Sequence, residues 1–156
     1  MTVDHLAAIL RKSPVILLDF DGPVCSVFAG YPAPRITDEL RAVAVDQVGE
    51  LPAMLDGVSS PHEVLSASAE VSPVLARQVE EALQVAEIKA VESATPTPGV
   101  EELLTACRER GRQLAIVSNN TGASVRAYLD RAGFVQHDRC SRSGVVAWLG
   151  LRATDS

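Results

Sequence analysis

An unbroken aliphatic run, Val15-Ile16-Leu17-Leu18, opens directly onto Asp19-Phe20-Asp21-Gly22. A run that is polar only at its exit reads as a central parallel strand buried on both faces. Its two acids stand two apart, so the period of a strand aims both side chains to one side, and Gly22 lets the backbone turn sharply after them. Two carboxylates held together there repel each other unless a cation or proton sits between them. A divalent cation is the natural answer. Magnesium takes oxygen ligands and binds through one or two carboxylates plus a substrate phosphate, so Asp19 and Asp21 are candidate metal ligands. The place suits them, because open α/β sheets bind ligands beyond the carboxyl ends of their strands.

The pattern recurs downstream. Gln113 to Ser118, followed by Asn119 and Asn120, is again an aliphatic strand with a polar exit. A helix is expected between Thr97 and Gly111, with Thr97 as N-cap, Pro98 and the acids Glu101 and Glu102 in its first turn, and Val100, Leu103, Leu104 and Cys107 on one face. Another is expected from Thr121 to Ala132, with Val125, Tyr128 and Leu129 inward and Gly133 at its end. Helix, strand and helix in this order imply an α/β class with a Rossmann-like, doubly wound parallel sheet. Val3 to Arg11 forms a short leading helix that Pro14 stops.

From Ile36 to Ser93 the chain changes character, with Pro52, Pro61 and Pro73 separating segments of helical length. Helices are expected over Ile36–Met54, Pro61–Glu70 and Pro73–Val91. A connection this long is an insertion and not a crossover. Residues 1–30 and 94–156 are therefore expected to form the core and residues 31–93 an inserted helical cap.

The 156 residues are 47% hydrophobic and 22% charged, enough for one ordinary globular unit with a small insertion. The net charge of -6 repels phosphate polymers and disfavours nucleic acid as a partner. Cys25, Cys107 and Cys140 are widely spaced and read as reduced thiols, not as a disulfide framework or zinc site. His5, His62 and His137 are too scattered for a ligand set and read as surface or structural residues. The first residues carry the wrong charge order for a secretory signal, and no apolar run approaches the roughly 20 residues of a bilayer span. A soluble, cytoplasmic protein without a membrane partner is expected.

Asp19-Phe20-Asp21-Gly22-Pro23-Val24 resembles the first signature of the haloacid dehalogenase superfamily, and Ile116-Val117-Ser118-Asn119-Asn120 resembles its second. Thr95 to Val100 looks like the approach to that second strand in the phosphoglycolate phosphatase-like branch, whose helical cap follows the first signature. The resemblance spans Pro14 to Phe134. It implies that Asp19 attacks phosphorus and becomes an aspartyl phosphate, and that Asp21 serves as general acid and then base. It further implies magnesium bound by Asp19 and the backbone carbonyl of Asp21, and a phosphoryl oxygen held by Ser118 and by the amide of Asn119. An acid at position 21 distinguishes the phosphatases of this superfamily from its dehalogenases. The implied activity is hydrolysis of a small phosphorylated metabolite.

The resemblance does not extend to the later signatures, a lysine and an acidic cluster. The chain's lysines are Lys12 and Lys89, both ahead of the second signature, and Lys89 reads as a solvated helix position. Arg139 or Arg142 is the nearest substitute for the lysine, and Asp138 and Asp155 are the acids left after Asp130. With room for one helix and one strand after Asn120, the core is expected to be incomplete at its C-terminal end. An exposed sheet edge then makes a homo-oligomer a possible partner. A catalytically weak relative that binds a phosphorylated ligand or a protein is the alternative function. Phe28 and Tyr31 read as packing residues more than as substrate contacts.

Overall fold

The computed structural model describes residues 3–137 and 145–151. Helix α1 (Val3–Lys12) ends on Arg11 and Lys12, cations that suit a helix C-terminus, and leads through Pro14 into strand β1 (Val15–Leu18). Strand β2 (Cys25–Ser26) follows the acidic turn. Then come helix α2 (Ala33–Val48), a short 3-10 turn at Ala53–Leu55, α3 (Pro61–Val71) and α4 (Pro73–Glu92). Strand β3 (Thr95–Pro96), α5 (Val100–Glu109), β4 (Gln113–Ser118), α6 (Gly122–Arg131), β5 (Phe134–His137) and β6 (Val145–Leu151) complete the order. The class is mixed α/β, and no helix among the described residues is long and apolar enough to cross a membrane.

The chain divides into two units, Met1–Ser26 with Thr95–Ser156, and Val27–Ala94. In the first, four strands run in the order β1-β4-β6-β5. β1 and β4 are parallel, with Val15 opposite Gln113 and Leu18 opposite Ile116, whereas β6 is antiparallel to both β4 and β5. A sheet parallel throughout was expected; one parallel pair is present among the described residues. Among the described residues two strands, not one, follow α6, because Val145–Leu151 returns antiparallel between β4 and Phe134–His137.

The expectation of a central, doubly covered β1 is corrected. β1 lies at one edge, and Leu17 is 63% exposed. Val117, on the same sheet face by the β1–β4 register, is 41% exposed. Ala115 and Ile116 of the inner strand are fully buried, so burial follows position in the sheet and not aliphatic character alone.

In the second unit, α2, α3 and α4 pack on one another. Leu75, Val79, Leu83, Ala86 and Ala90 make a buried stripe along α4, and Ile36, Leu40 and Ala44 do so on α2. The expected helix Ile36–Met54 is shorter and starts earlier. Pro32 and Ala33 open it, and Gly49, at φ 87°, donates its N–H to the Val45 carbonyl and ends it before Pro52. Helix α3 opens with a capping box between Ser60 and Glu63. Glu87 of α4 is fully buried, with His62 Nε2 3.8 Å from its Oε1.

Candidate functional site

Phe20 is fully buried while Asp19 and Asp21 on either side are exposed. Past the end of β1 burial therefore alternates residue by residue, with the aromatic ring inward and the acids exposed. An Asp19 side-chain oxygen accepts a hydrogen bond from the Phe20 N–H at 2.7 Å. The turn after Asp21 is held by Gly22 N–H to the Cys25 carbonyl at 2.8 Å, and by Val24 and Cys25 N–H to the Phe20 carbonyl, both at 3.2 Å. Gly22 adopts φ 100°, a region that favours glycine.

Thr97 closes this turn from the far end of the insertion. Its hydroxyl donates to the Gly22 carbonyl, and its N–H donates to the Val24 carbonyl at 3.1 Å. The pairing of β2 with β3, Cys25 opposite Pro96 and Ser26 opposite Thr95, extends the same clasp. The expected N-cap role of Thr97 is thereby corrected. Gly99, at φ 88°, is the N-cap of α5, and its carbonyl accepts from the Leu103 N–H at 3.0 Å.

Because Leu18 pairs with Ile116, Asp19 and Ser118 lie one and two residues past the last registered pair, at the same end of adjacent parallel strands. Neighbouring strands sit roughly 4.8 Å apart. Ser118 is buried, and its hydroxyl donates to Asn120 Oδ1 at 3.0 Å while the Asn120 N–H donates back to the same hydroxyl at 3.0 Å. Asn119 is exposed. Asn120 is thus a site residue that the sequence reading missed, although its spacing of two from Ser118 was the available signal. Thr121 caps α6, its hydroxyl oxygen accepting from the Ser124 N–H at 3.4 Å.

Beneath the acids, Cys25 and Tyr128 share a hydrogen bond, and both titrations are displaced. Burial, and then the Asp21 carboxylate, push the Cys25 thiol up to about 12. Burial, followed by the neighbouring thiol, pushes the Tyr128 hydroxyl up to about 12. Cys25 is therefore a packed thiol and not a nucleophile.

Other expected positions lie elsewhere or outside the described residues. Lys89 places its ammonium 4.5 Å from the centre of the Tyr31 ring in the helical unit. Tyr31 is buried and Phe28 half-buried. Arg139, Arg142, Asp138, Asp155 and Cys140 lie outside the described residues. Among the described residues no group of three or more His, Cys, Asp or Glu side chains gathers around a common point. The donors at the exit of β1 are oxygens, and Asp19 and Asp21 suit a magnesium ion that keeps most of its waters and takes a carboxylate or two.

No family model, curated protein or solved structure matches the chain.

Proposed function

We propose that the chain is a magnesium-dependent phosphatase of the haloacid dehalogenase type, acting on a small phosphorylated metabolite through an aspartyl phosphate on Asp19. One observation carries the reading: Asp19 and Ser118 leave adjacent parallel strands at the same end, with Asp21 two residues on. A Rossmann-like, doubly wound core, a cytoplasmic setting and self-association at the β1 edge belong to the same proposal.

In the reaction, an Asp19 carboxylate oxygen forms a bond to phosphorus as the bond to the leaving oxygen breaks, and Asp21 gives that oxygen its proton. Asp21 then takes a proton from water, whose oxygen attacks phosphorus and releases inorganic phosphate and the Asp19 carboxylate. Magnesium, when bound by Asp19 and the Asp21 carbonyl, supplies neutralisation of the charge shared by carboxylates and phosphate. Ser118 and the Asn119 amide hold a phosphoryl oxygen.

The test is hydrolysis of p-nitrophenyl phosphate by the intact chain with and without magnesium, beside Asp19→Asn at equal folded content. Turnover that needs both the metal and Asp19 is expected. A folded but inactive chain would overturn the proposal and favour the second reading, a ligand- or protein-binding relative.

A further inference from the structure

At the opposite end of the parallel pair from Asp19 and Ser118 lies a cavity of about 320 Å³, lined by Leu10 and Arg11 of α1, by Leu103, Ala106 and Cys107 of α5, and by Arg110 and Arg112. Its floor is hydrocarbon and thiol. Its rim is cationic, because Arg11, Arg110 and Arg112 line it. Three arginines thus gather at one cavity of a protein whose net charge is -6.

Part of this charge has a local use. Arg112 donates to the carbonyls of Leu10 and of Ser13, the latter at 2.6 Å, and fastens α1 to the start of β4. Arg11, Lys12 and Arg108 complement the helix termini on which they sit. Arg110 donates to the Ala106 carbonyl at 3.2 Å. These roles leave the apolar lining between the two helix ends unaccounted for, and a guanidinium carries five N–H donors, so Arg11 and Arg110, exposed at its lip, can meet a further acceptor.

We propose that this groove is a binding site for a small amphipathic anion, a linear aliphatic carboxylate whose chain lies on Leu10, Leu103, Ala106 and Cys107 and whose head meets Arg11 and Arg110. The size falls at the lower end of the range for small-molecule sites, and an apolar lining with few converging polar groups is their usual composition. The carboxylate suits the planar forks of arginine. Charge complementarity commits the site to an anion, since a neutral chain gains nothing from the rim. The site is independent of any chemistry at Asp19.

The probe is octanoate, titrated calorimetrically against the intact chain, with octanol as the neutral match. Saturable one-to-one binding of octanoate is expected, with octanol at least tenfold weaker. Ala106→Trp fills the groove and should abolish binding. Arg11→Glu with Arg110→Glu changes exposed positions only and should weaken octanoate at least tenfold while leaving octanol unchanged, which keeps the test decisive if the tryptophan variant does not fold. Absence of saturable binding, equal affinity for octanol, or octanoate affinity indifferent to the arginine changes would overturn the proposal. So would binding to anionic lipid vesicles with none to octanoate.

Discussion

The ring of Phe20 meets the ring of Tyr128 edge-on, with centroids 5.4 Å apart and planes inclined at 75°. The residue between the two acids is thereby anchored to α6, the helix that follows Ser118, so one aromatic pair fixes both halves of the candidate site. Arg131 lies over the Tyr128 ring at 5.3 Å and adds to the same stack. Removing the ring and removing only its hydroxyl should have different consequences. Tyr128→Ala is expected to destabilise the chain by about 3–5 kcal/mol, the usual cost of emptying a buried aromatic site. Tyr128→Phe keeps the ring pair and loses the bond to Cys25, for about 1 kcal/mol. Urea denaturation of both variants checks the ordering; equal losses would show that the hydroxyl, not the ring, carries the anchor.

Ser118 and Asn120 form a closed exchange in which the hydroxyl gives its proton to the amide oxygen and accepts one from the backbone. A phosphoryl group at Ser118 has to compete for that proton, so Asn120 sets how available the hydroxyl is. Ser118→Ala is expected to lower kcat/KM for p-nitrophenyl phosphate by roughly tenfold to a hundredfold, as for loss of one transition-state donor. Asn120→Ala should instead cost about 1 kcal/mol of stability with a smaller effect on turnover. If Asn120→Ala proves the more damaging to kcat/KM at equal folded content, the roles of the two residues are reversed.

How much of this was legible in the sequence depends on whether the cause is local. The limits of β1 are those of its aliphatic run, closed by Pro14 and Asp19, and β4 extends its run by one polar residue at each end, Gln113 and Ser118. The starts of α3 and α4 were equally plain from Ser60-Pro61 and Ser72-Pro73. The edge position of β1 was not legible, since four aliphatic residues look alike whether helices cover one face or two. Nor was the work of Thr97, whose hydroxyl reaches Gly22 across 75 positions of sequence. At the site, the shared exposure of the acid pair could be read from strand period, whereas Ser118 was singled out by resemblance to the second signature. The burial of Asn120 beside an exposed Asn119 required the turn itself.

Cys25 and Tyr128 predict an alkaline weakness. Both titrate near 12, above the values of the unfolded chain, so the neutral forms are favoured by folding. The associated stability is fully present below the ordinary thiol value of 9.0 and is lost as pH rises towards 12. At about pH 8 the Cys25 thiolate should be roughly a thousandfold scarcer than for a free thiol. In a Cys140→Ser background, Ellman's reagent is expected to leave Cys25 and Cys107, both buried, unmodified until denaturant is added. Rapid labelling of Cys25 in the folded chain would contradict its packing.

The helical unit carries the opposite dependence. Glu39 accepts a hydrogen bond from the Tyr31 hydroxyl and pairs with Arg35 at 3.1 Å, contacts that hold its carboxyl below the ordinary value of 4.5. A depressed acid stabilises the fold above its unfolded value and loses that contribution as pH falls through the folded one. Stability should therefore decline from about pH 4.5 downwards, and Glu39→Gln should remove part of the slope. Denaturation midpoints across this range decide the point; an unchanged slope in Glu39→Gln would assign the acid sensitivity to other groups.

The two faces of the sheet differ sharply in burial. Leu17 is 63% exposed at the edge, whereas Ile116, one strand inward and on the opposite face by the β1–β4 register, is fully buried. If burial governs energetics, Leu17→Lys should change stability by no more than about 0.5 kcal/mol, and Ile116→Ala should cost about 2–5 kcal/mol. The lysine should also oppose pairing of β1 with a second copy, since a charge on an edge strand discourages further strand addition. Light scattering and urea denaturation of the two variants test both points. A large loss in Leu17→Lys would mean that the edge face is covered in solution, and a fall in molecular mass accompanying that loss would identify the cover as another copy of the chain.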